Sequence, residues 1–324
     1  MTDSTPPPSL ADVYVARERI APYLRPTPLM QHPVLSEETG LDIWVKHENH
    51  NPTGAFKVRG GLNLVISLTP GERVRGVVTA STGNHGQSIA LACRLQGVSC
   101  TVFVPEGNNP DKNAAMRAYG ATLVEAGRDF DEARERCERV ADETGARYVH
   151  SANEPLLIAG VGTYALEIFE SLPDADVILV PIGGGSGACG IITVRNGLGA
   201  RAQVIGVGAE QADAVARSWR TRERVVGTSA ATFAEGIATR VTFDLTFGIL
   251  QRSLDDFVLL SESALAGGVR MALRATHNLA EGAGAASLAA AAAGRERFRG
   301  LKVVAVMSGA NLHTERLRSI LTTA

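Results

Sequence analysis

Residues 177–210 read VILVPIGGGSGACGIITVRNGLGARAQVIGVGAE, and this stretch decides the fold. It begins with an apolar run, passes through a glycine-rich loop and a segment of helical spacing, and ends in a second apolar run. Continuous runs of Val and Ile are typical of strands that are buried on both faces, as the strands of parallel sheets are. The stretch therefore predicts a strand, a helix and a second strand of an α/β protein.

The same alternation recurs towards both ends of the chain. Strand-like runs occupy 75–80 and 100–105, and a helix is expected between them over 87–96. A charged helix is expected over 131–143, and a last apolar run, 301–307, leads into a turn. We therefore predict an α/β fold of two domains, with mostly parallel sheets flanked by helices.

The composition is that of a globular protein. The chain has 324 residues, of which 45% are hydrophobic and 20% charged, and it is long enough to bury a substantial core. The formal net charge is -2 and no basic block occurs, so we expect no nucleic-acid partner and no membrane surface as a partner. We also expect no signal peptide and no membrane span, and the polar, Pro-rich residues 1–10 should form a loose tail. The four cysteines form no C-x-x-C pair, which favours free thiols in a cytoplasmic protein.

Three polar loops directly follow predicted strands. Ligands of open α/β sheets bind at the carboxyl ends of the strands, so chemistry is expected in these loops. They are STGNHG at 81–86, GGGSG at 183–187 and SGAN at 308–311. On its own, Ser308 in the last of them is an ordinary turn serine.

The loop at 183–187 has the composition of an anion site. Its glycines let the backbone approach a ligand closely, and the N–H groups at the start of the following helix favour a phosphate. A tight strand-to-helix turn is the structural alternative. A second alternative is a dinucleotide site, because Gly183 to Ala188 matches G-x-G-x-x-G/A and Glu210 stands where the ribose carboxylate is expected.

The loop at 81–86 offers neutral hydrogen-bond donors at the start of a helix. Ser81, Thr82, Asn84 and His85 suit a carboxylate or a ring oxygen of a ligand. A purely structural role is the alternative, because Ser81 or Thr82 can cap the helix. Capping needs one such residue, so the additional Asn and His favour a ligand site.

Lysine is rare in this chain, and one lysine has unusual neighbours. Lys57 lies between Phe56 and Val58 in NPTGAFKVRGG, where apolar side chains and close-packing glycines would desolvate its amine. Desolvation lowers the pKa of an amine and makes it a usable nucleophile, although a surface lysine remains the alternative on local grounds. We expect the other lysines to be solvated: Lys46, Lys112 and Lys302.

The segments between Pro52 and Asn311, taken together and in order, carry a family resemblance. They resemble the fold-type II pyridoxal phosphate enzymes, whose fold is tryptophan synthase β-like, and within them the serine/threonine dehydratases (ammonia-lyases) and the related serine racemases. One segment alone would be weak evidence, whereas the full set in family order argues against chance. The segments are PTGAFKVRGG, ASTGNHGQ, SANEPLLIAGVGT, PIGGGSG, AEGIA, LAEGAGAA and VMSGAN.

The resemblance implies a role for each matching residue. Lys57 corresponds to the lysine that binds pyridoxal 5'-phosphate as a Schiff base, and Phe56 to the aromatic residue that packs against its ring. Asn84 corresponds to the partner of the ring hydroxyl, Ser308 to the partner of the pyridine nitrogen, and Glu281 falls near the cofactor. The resemblance also implies which residues bind the phosphate: Gly183, Gly184, Gly185, Ser186 and Gly187. It implies that the substrate is bound by Ser81, Thr82, Asn84, His85 and Gly236.

The resemblance also implies an activity and an organisation. We expect dehydration and deamination of L-threonine or L-serine by β-elimination, giving a 2-oxo acid and ammonia. Residues 66–153 would form the small domain, and residues 1–65 with 154–324 the large, cofactor-binding domain. A small amino-acid substrate, a homodimer and a cytoplasmic location are further expectations. Because the chain ends at Ala324, we expect no C-terminal regulatory domain.

The sequence departs from the family pattern in several places. Ser186 stands in the place of a fourth glycine in the phosphate loop, and Ala310 in the place of a glycine in SGGN. Glu210 matches one ligand of a divalent cation that some relatives bind, but Ala216 replaces the expected Asp, so we expect no metal. Thr82 stands where racemases have a serine, which argues against efficient racemisation.

Several functions remain open on the sequence. The first is the dehydratase, and the second is a racemase or a β-replacement synthase of the same family. The pattern of cysteine synthases is K-D-R, beginning at the lysine, and T-S-G-N-T-G in the loop. Val58 and His85 of this sequence do not match that pattern. The last is a nicotinamide-dependent dehydrogenase built on GGGSGA, which leaves Lys57 and the loops at 81–86 and 308–311 without a role.

Overall fold

The computed structural model describes residues 6–322, in which strands alternate with helices. The strands in chain order are β1 (Leu29–Gln31), β2 (Asp42–His47), β3 (Val77–Ala80), β4 (Cys100–Val104), β5 (Thr122–Glu125), β6 (Arg147–Tyr148), β7 (Val177–Pro181), β8 (Gln203–Ala209), β9 (Asp256–Leu260) and β10 (Lys302–Met307). The helices are α1 (Leu10–Ile20), α2 (Pro33–Thr39), α3 (Lys57–Ile66), α4 (Pro70–Arg75), α5 (Asn84–Gln96), α6 (Pro110–Ala118), α7 (Phe130–Thr144), α8 (Pro155–Ser171), α9 (Ser186–Leu198), α10 (Ala214–Thr221), α11 (Asp244–Ser253), α12 (Glu262–Thr276), α13 (Gly282–Ala293) and α14 (Thr314–Thr322). Short 3₁₀ turns lie at Glu48–His50, Glu210–Ala212 and Glu235–Ile237.

Two sheets are built from the described strands. The larger has the order β1-β2-β10-β7-β8-β9, and the smaller has the order β5-β4-β3-β6. Apart from the antiparallel pair β1–β2, the neighbouring strands are parallel. In the larger sheet, Val303 of β10 pairs with Val177 of β7, and Leu179 of β7 pairs with Ile205 of β8. The prediction of an α/β fold with mostly parallel sheets is confirmed.

Successive residues of β7 point to opposite faces of the larger sheet and meet different helices. Ile178 and Val180 pack with buried side chains of α8 and α9, whereas Val177 and Leu179 pack with those of α12 and α13. Helices therefore cover both faces, which is why these strands read as unbroken apolar runs. With both faces covered, the carboxyl edge of the sheet is left for ligands.

The smaller sheet is covered in the same way by helices from its own stretch of chain. Val77 and Val102 pack with buried residues of α5, and Val78 and Phe103 pack with those of α7. The strands of this sheet fall inside 66–153, the predicted small domain, and those of the larger sheet fall outside it. The domain boundaries themselves stay a prediction.

The first described helix, α1, begins at Leu10, inside the end of the residues expected to form a loose tail. The Ser9 hydroxyl accepts a hydrogen bond from the Asp12 N–H, and the Asp12 carboxylate accepts one from the Ser9 N–H, which fixes the start of α1. Of the predicted loose tail, residues 1–5 lie outside the described residues. Among residues 6–322, no helix is long and apolar enough to cross a membrane, and the four cysteines are buried free thiols.

The expectation that Lys46 is solvated is wrong. Its amine is fully buried, donating to Glu167 Oε2 at 2.5 Å and to the Thr27 carbonyl at 2.7 Å. Lys46 lies on the face of β2 that meets α8, and Glu167 on α8 supplies the countercharge that a buried ammonium requires. Because that partner lies 121 residues away, the local sequence gives no sign of the pair.

Candidate active site

The loops that follow β3, β7 and β10 meet around one cavity of about 1140 Å³. Strands β10 and β7 are parallel neighbours, so their carboxyl ends lie side by side, and the end of β3 borders the same cavity. The structure thus brings together the whole of the predicted site. The lining includes Phe56, Lys57, Ser81, Thr82, Asn84, His85, Gly183, Gly184, Gly185, Ser186, Gly187, Gly236, Glu281 and Ser308.

Lys57 is the first residue of α3 and extends its amine into the cavity. The amine donates to Ser186 Oγ at 2.9 Å and to the Ser151 carbonyl at 3.2 Å, and it lies 5.2 Å from the centre of the Phe56 ring. Burial lowers the pKa of this amine to about 8. No carboxylate pairs with the amine in the described structure, so a minor neutral fraction, about a tenth at pH 7, is present and can act as a nucleophile or base.

The glycine loop forms a backbone cradle, and its first glycines pack so closely against neighbouring segments that side chains would clash there. A Cβ on Gly183 would lie 2.3 Å from the Gly236 carbonyl oxygen, and one on Gly184 would lie 2.8 Å from the Ala152 Cβ. Gly185 has a φ of 95°, a conformation that L side chains rarely adopt. The loop opens α9 at the cavity wall without a side-chain cap, and the first N–H groups of a helix have no intrahelical partner. These features fit a phosphate group.

The loop after β3 is held by its own serine, and the following helix begins earlier than predicted. Ser81 Oγ accepts hydrogen bonds from the Gly83 N–H at 3.1 Å and the Gly86 N–H at 2.9 Å. Helix α5 begins at Asn84, not near Gln87, so the last residues of the predicted loop, 84–86, occupy its first turn. The side chains of Thr82 and Asn84 are half-buried on the cavity wall, beside the positive end of the helix.

The His85 side chain is turned towards the smaller sheet. The Thr79 hydroxyl donates to the Val149 carbonyl at 2.7 Å, so its oxygen accepts from His85 Nε2–H at 2.9 Å. Burial, assisted by the Lys57 charge, lowers the pKa of His85 to about 3, which keeps the ring neutral. Its Nδ1 atom is buried and has no partner among the described residues. The imidazole therefore anchors α5 to β3 through Thr79.

Asn84 is held in place by a set of side chains from distant parts of the chain. Its Nδ2 group donates to Glu281 Oε1 at 2.5 Å, and its Oδ1 accepts from Asn311 Nδ2 at 2.7 Å. Burial raises the pKa of Glu281, while the Lys112 ammonium, 3.8 Å from its second oxygen, opposes that rise. The carboxylate of Glu281 thus orients the Asn84 amide, which places both residues at one end of the cavity.

Ser308 directly follows β10 and is joined to the segment that carries Lys57. Its carbonyl accepts from the Phe56 N–H at 3.1 Å, and the Ala310 N–H donates to the Gly54 carbonyl at 2.8 Å. A Cβ on Gly284 would lie 2.0 Å from the Gly309 carbonyl oxygen, so α13 packs tightly behind the turn. The backbone of Ser308 is therefore fixed relative to Phe56 at the cavity wall.

The sequence reasoning missed several cavity residues. His150 and Ser151 follow β6, and the rule that ligands bind at strand ends would have found them. His150 Nδ1 accepts from the Ala152 and Asn153 N–H groups, and burial lowers the pKa of the ring to about 4. The neutral ring of His150 therefore lines the cavity.

The expectation that Lys112 is solvated is also wrong. Its side chain is 7% exposed and its amine lies 2.5 Å from Glu235 Oε2. Glu281 and Glu235 raise the pKa of Lys112 in spite of its burial. Lys112 lies in the first turn of α6 and lines the cavity because distant carboxylates, Glu235 and Glu281, supply its countercharge, which no local pattern reports.

The donor set defines the class of ligand. A lysine amine of lowered pKa beside a backbone cradle for phosphate, in an α/β fold, fits an enzyme that holds a phosphorylated aldehyde cofactor. Among the described residues, no group of His, Cys, Asp and Glu is arranged to hold a metal ion. The absence of a metal site stays a prediction.

The comparisons with known proteins agree with this donor set. Residues 20–309 match the family described as pyridoxal-phosphate dependent enzyme, and the chain belongs to that family. It is 38% identical to an L-threonine ammonia-lyase of Thermotoga maritima over 97% of this chain and 78% of the relative. It is 39% identical to an L-threonine ammonia-lyase of Geobacter sulfurreducens over 93% of this chain and 75% of the relative.

Solved structures give the same result. A T.th. threonine deaminase is similar with a TM-score of 0.89 and 33% identity, covering 94% of this chain and 99% of that one. A maize serine racemase is similar with a TM-score of 0.91 and 27% identity, covering 97% of both chains. The family resemblance and the dependence on pyridoxal phosphate are confirmed, and the nicotinamide alternative loses its support.

Proposed function

We propose that this protein is an ammonia-lyase that converts L-threonine, L-serine or both to the 2-oxo acid and ammonia by β-elimination. The observation that carries the proposal is the position of the Lys57 amine, whose pKa is lowered to about 8. It lies 2.9 Å from Ser186 Oγ, at the start of the helix that follows the glycine loop. The relatives named as L-threonine ammonia-lyases support the substrate class.

We propose the following arrangement for pyridoxal phosphate. Lys57 binds it covalently, Phe56 packs against its ring and Asn84 bonds to the ring hydroxyl. Ser308 faces the pyridine nitrogen, and Glu281 acts through Asn84. The phosphate binds to the cradle of Gly183, Gly184, Gly185, Ser186 and Gly187. When bound, the cofactor supplies the electron sink for breaking the bond to the α-hydrogen.

The chain's own residues supply the proton transfer and the orientation. Once substrate is bound, the Lys57 amine takes the α-proton, and its lowered pKa gives it a neutral fraction for this task. The start of α5, with Ser81 and Thr82, holds the substrate carboxylate, because N–H groups and hydroxyls there are donors beside a positive helix end. His85 contributes through its main chain, and Gly236 leaves room beside the glycine loop.

Ser308 favours elimination over transamination. A neutral hydroxyl cannot stabilise a protonated pyridine nitrogen as a carboxylate would. A weaker electron sink suits a reaction whose leaving group departs soon after the α-proton. Thr82 stands where the racemases have a serine, so racemisation is the second candidate, and the maize serine racemase among the similar structures keeps it open.

We also propose that the protein works in the cytoplasm as a homodimer. The buried free thiols support a reducing compartment. Light scattering of the purified protein during size-exclusion chromatography tests the assembly, and a mass near twice 34.1 kDa is expected.

A spectrum and a product assay test the function. Purified protein with pyridoxal phosphate should absorb in the near-visible range and lose that band on borohydride reduction. L-Threonine should yield 2-oxobutyrate, and L-serine should yield pyruvate. Lys57→Ala should abolish the band and lower turnover by about 10²–10⁴-fold.

The matched control is Lys302→Ala, which removes a lysine that pairs with Asp174 at the surface. This variant should keep both the band and the turnover. Formation of D-serine from L-serine without any 2-oxo acid would show that the protein is a racemase and not a lyase. An absorption band that survives Lys57→Ala would refute the role of Lys57.

A further inference from the structure

Ser186 is the residue of the phosphate loop that carries a side chain where the loop of resembling enzymes often has glycine. It is the first residue of α9, and it is 2% exposed. A glycine at this position could offer a phosphate only its N–H group. Ser186 therefore adds a hydroxyl to the loop, and the hydrogen-bond partner of this hydroxyl indicates its role.

That partner is the Lys57 amine. In the described structure the amine has hydrogen-bond acceptors in Ser186 Oγ at 2.9 Å and the Ser151 carbonyl at 3.2 Å. One acceptor lies at the start of α9 and the other follows β6, so the amine is held from two directions. Without the Ser186 hydroxyl, the Lys57 amine would keep the Ser151 carbonyl as its acceptor.

A neutral amine has two hydrogens and one lone pair. When both hydrogens are donated, the lone pair must point away from both acceptors, because the three directions around nitrogen are roughly tetrahedral. With a single acceptor, the amine can rotate about its last C–N bond and its lone pair loses a fixed direction. Two acceptors thus aim the atom that takes a proton.

We propose that the Ser186 hydroxyl is a positioning residue that, together with the Ser151 carbonyl, accepts both hydrogens of the neutral Lys57 amine and directs its lone pair into the cavity. This inference rests on the proposed function, in which that lone pair takes the α-proton. The hydroxyl keeps one hydrogen of its own to donate, so it can hold Lys57 and still face an anion in the glycine cradle.

The first test uses the apoprotein in phosphate-free buffer. Reductive methylation is followed over a pH series, and the modified Lys57 peptide is quantified by mass spectrometry. A hydroxyl stabilises an ammonium more than a neutral amine, so Ser186→Ala should move the pH midpoint of Lys57 modification down by about half a unit to one unit. Ser186→Gly should give the same shift, and Ser186→Thr, which keeps the hydroxyl, should restore the midpoint.

The second test uses the loaded enzyme. Ser186→Ala should lower kcat for 2-oxobutyrate formation by about tenfold and leave KM within about twofold, since the loss concerns proton transfer and not substrate binding. The matched control is Ser287→Ala, a buried serine whose hydroxyl donates to the Leu179 carbonyl away from the cavity. This control should keep the midpoint and kcat of the wild type.

An unchanged midpoint in both Ser186→Ala and Ser186→Gly would overturn the proposal and leave Ser186 as a phosphate contact only. A lowered midpoint without recovery in a folded Ser186→Thr variant would also overturn it, because the effect would then not come from the hydroxyl. The apoprotein test needs no substrate, so it decides the role of Ser186 even if the wild type forms no 2-oxo acid and the proposed function fails.

Discussion

At the scale of single residues, the surroundings of a side chain decide its chemistry. Lys57 was an open choice between a nucleophile and a surface charge on local grounds, and it is an amine of lowered pKa on a cavity wall. His85 was expected to offer its side chain to a substrate, and its ring is bonded to Thr79 instead. Residue type can be read from a motif, but the direction of a side chain depends on neighbours that folding brings close.

Lys57 should cost the apoprotein stability at neutral pH. Below a pH of about 8 the amine is protonated in both folded and unfolded states, so the folded chain bears the whole cost of burying the charge. That cost falls as the pH rises through about 8 and is gone above the ordinary value of about 10.4, where both states are neutral.

Lys57→Met should therefore raise the free energy of unfolding of the apoprotein by about 1–3 kcal/mol at neutral pH. Urea denaturation in the neutral range and again in strong alkali measures it, and the gain should vanish in alkali. Lys302→Met, at an exposed ion pair, is the control and should show no such gain. A gain of equal size at both pH values would point to better packing by Met and not to the buried charge.

At the scale of helices, the sequence placed the elements but not the starts of the two helices that matter most. Helices α5 and α9 begin at Asn84 and Ser186, earlier than their apolar spacing indicates. Their caps, Gly83 and Gly185, make no side-chain cap hydrogen bond, so the usual start signal is missing. Apart from the Gly86 N–H, which donates to Ser81 Oγ, such starts leave first-turn N–H groups without an intrahelical partner and open to a ligand. A poor helix signal and a binding site therefore coincide here.

Helix α6 should contribute to the site through Lys112. Lys112 forms ion pairs with Glu235 and Glu281. The Glu281 carboxylate in turn accepts a hydrogen bond from the Asn84 amide. Removing the ammonium leaves the buried Glu281 carboxylate without its nearby cation, so the pKa of Glu281 rises further and a proton replaces the lost charge. A protonated Glu281 accepts the Asn84 hydrogen bond more weakly.

Lys112→Met should therefore weaken binding of pyridoxal phosphate by about 10-fold or more, and the loss of binding at low pH should begin at a higher pH than in the wild type. Titration of the apoprotein with the cofactor, followed by absorbance over a pH series, checks both effects. Lys112→Arg keeps the charge and should retain most of the affinity. An unchanged pH dependence in Lys112→Met would separate Lys112 from Glu281.

At the scale of the whole molecule, the class of fold could be predicted and the order of the strands could not. The apolar runs predict buried parallel strands, but β10, from the end of the chain, lies between β2 and β7, and no local signal gives that order. The order matters for function because it sets the loop after β10 beside the loop after β7. The family resemblance supplied the convergence of these loops, which composition and spacing alone did not.

A buried ionic cluster connects the distant segments on which Lys57 depends. Arg59 on α3 donates to Glu48 Oε2 at 2.7 Å and to Glu167 Oε1 on α8 at 2.6 Å, and its side chain is 1% exposed. The Arg59 charge keeps the pKa of Glu48 low in spite of complete burial. Since Lys57 begins the same helix, this cluster fixes the position of the amine relative to the larger sheet.

Replacing Arg59 should be far more damaging than breaking a similar pair at the surface. Arg59→Met leaves the buried Glu48 carboxylate without its main cation and Glu167 with Lys46 alone, which should lower the free energy of unfolding by about 3–5 kcal/mol. Arg17→Met removes another arginine that bonds to α8, through Glu170 at 2.5 Å, but there both side chains are exposed and the cost should stay below about 1 kcal/mol. Urea denaturation of the two apoproteins measures the difference, and folded Arg59→Met should also bind pyridoxal phosphate more weakly because α3 is less firmly held. Equal losses in the two variants would mean that the cluster adds nothing beyond an ordinary ion pair, and the position of Lys57 would then depend on the apolar packing of α3 against α5 and α8 alone.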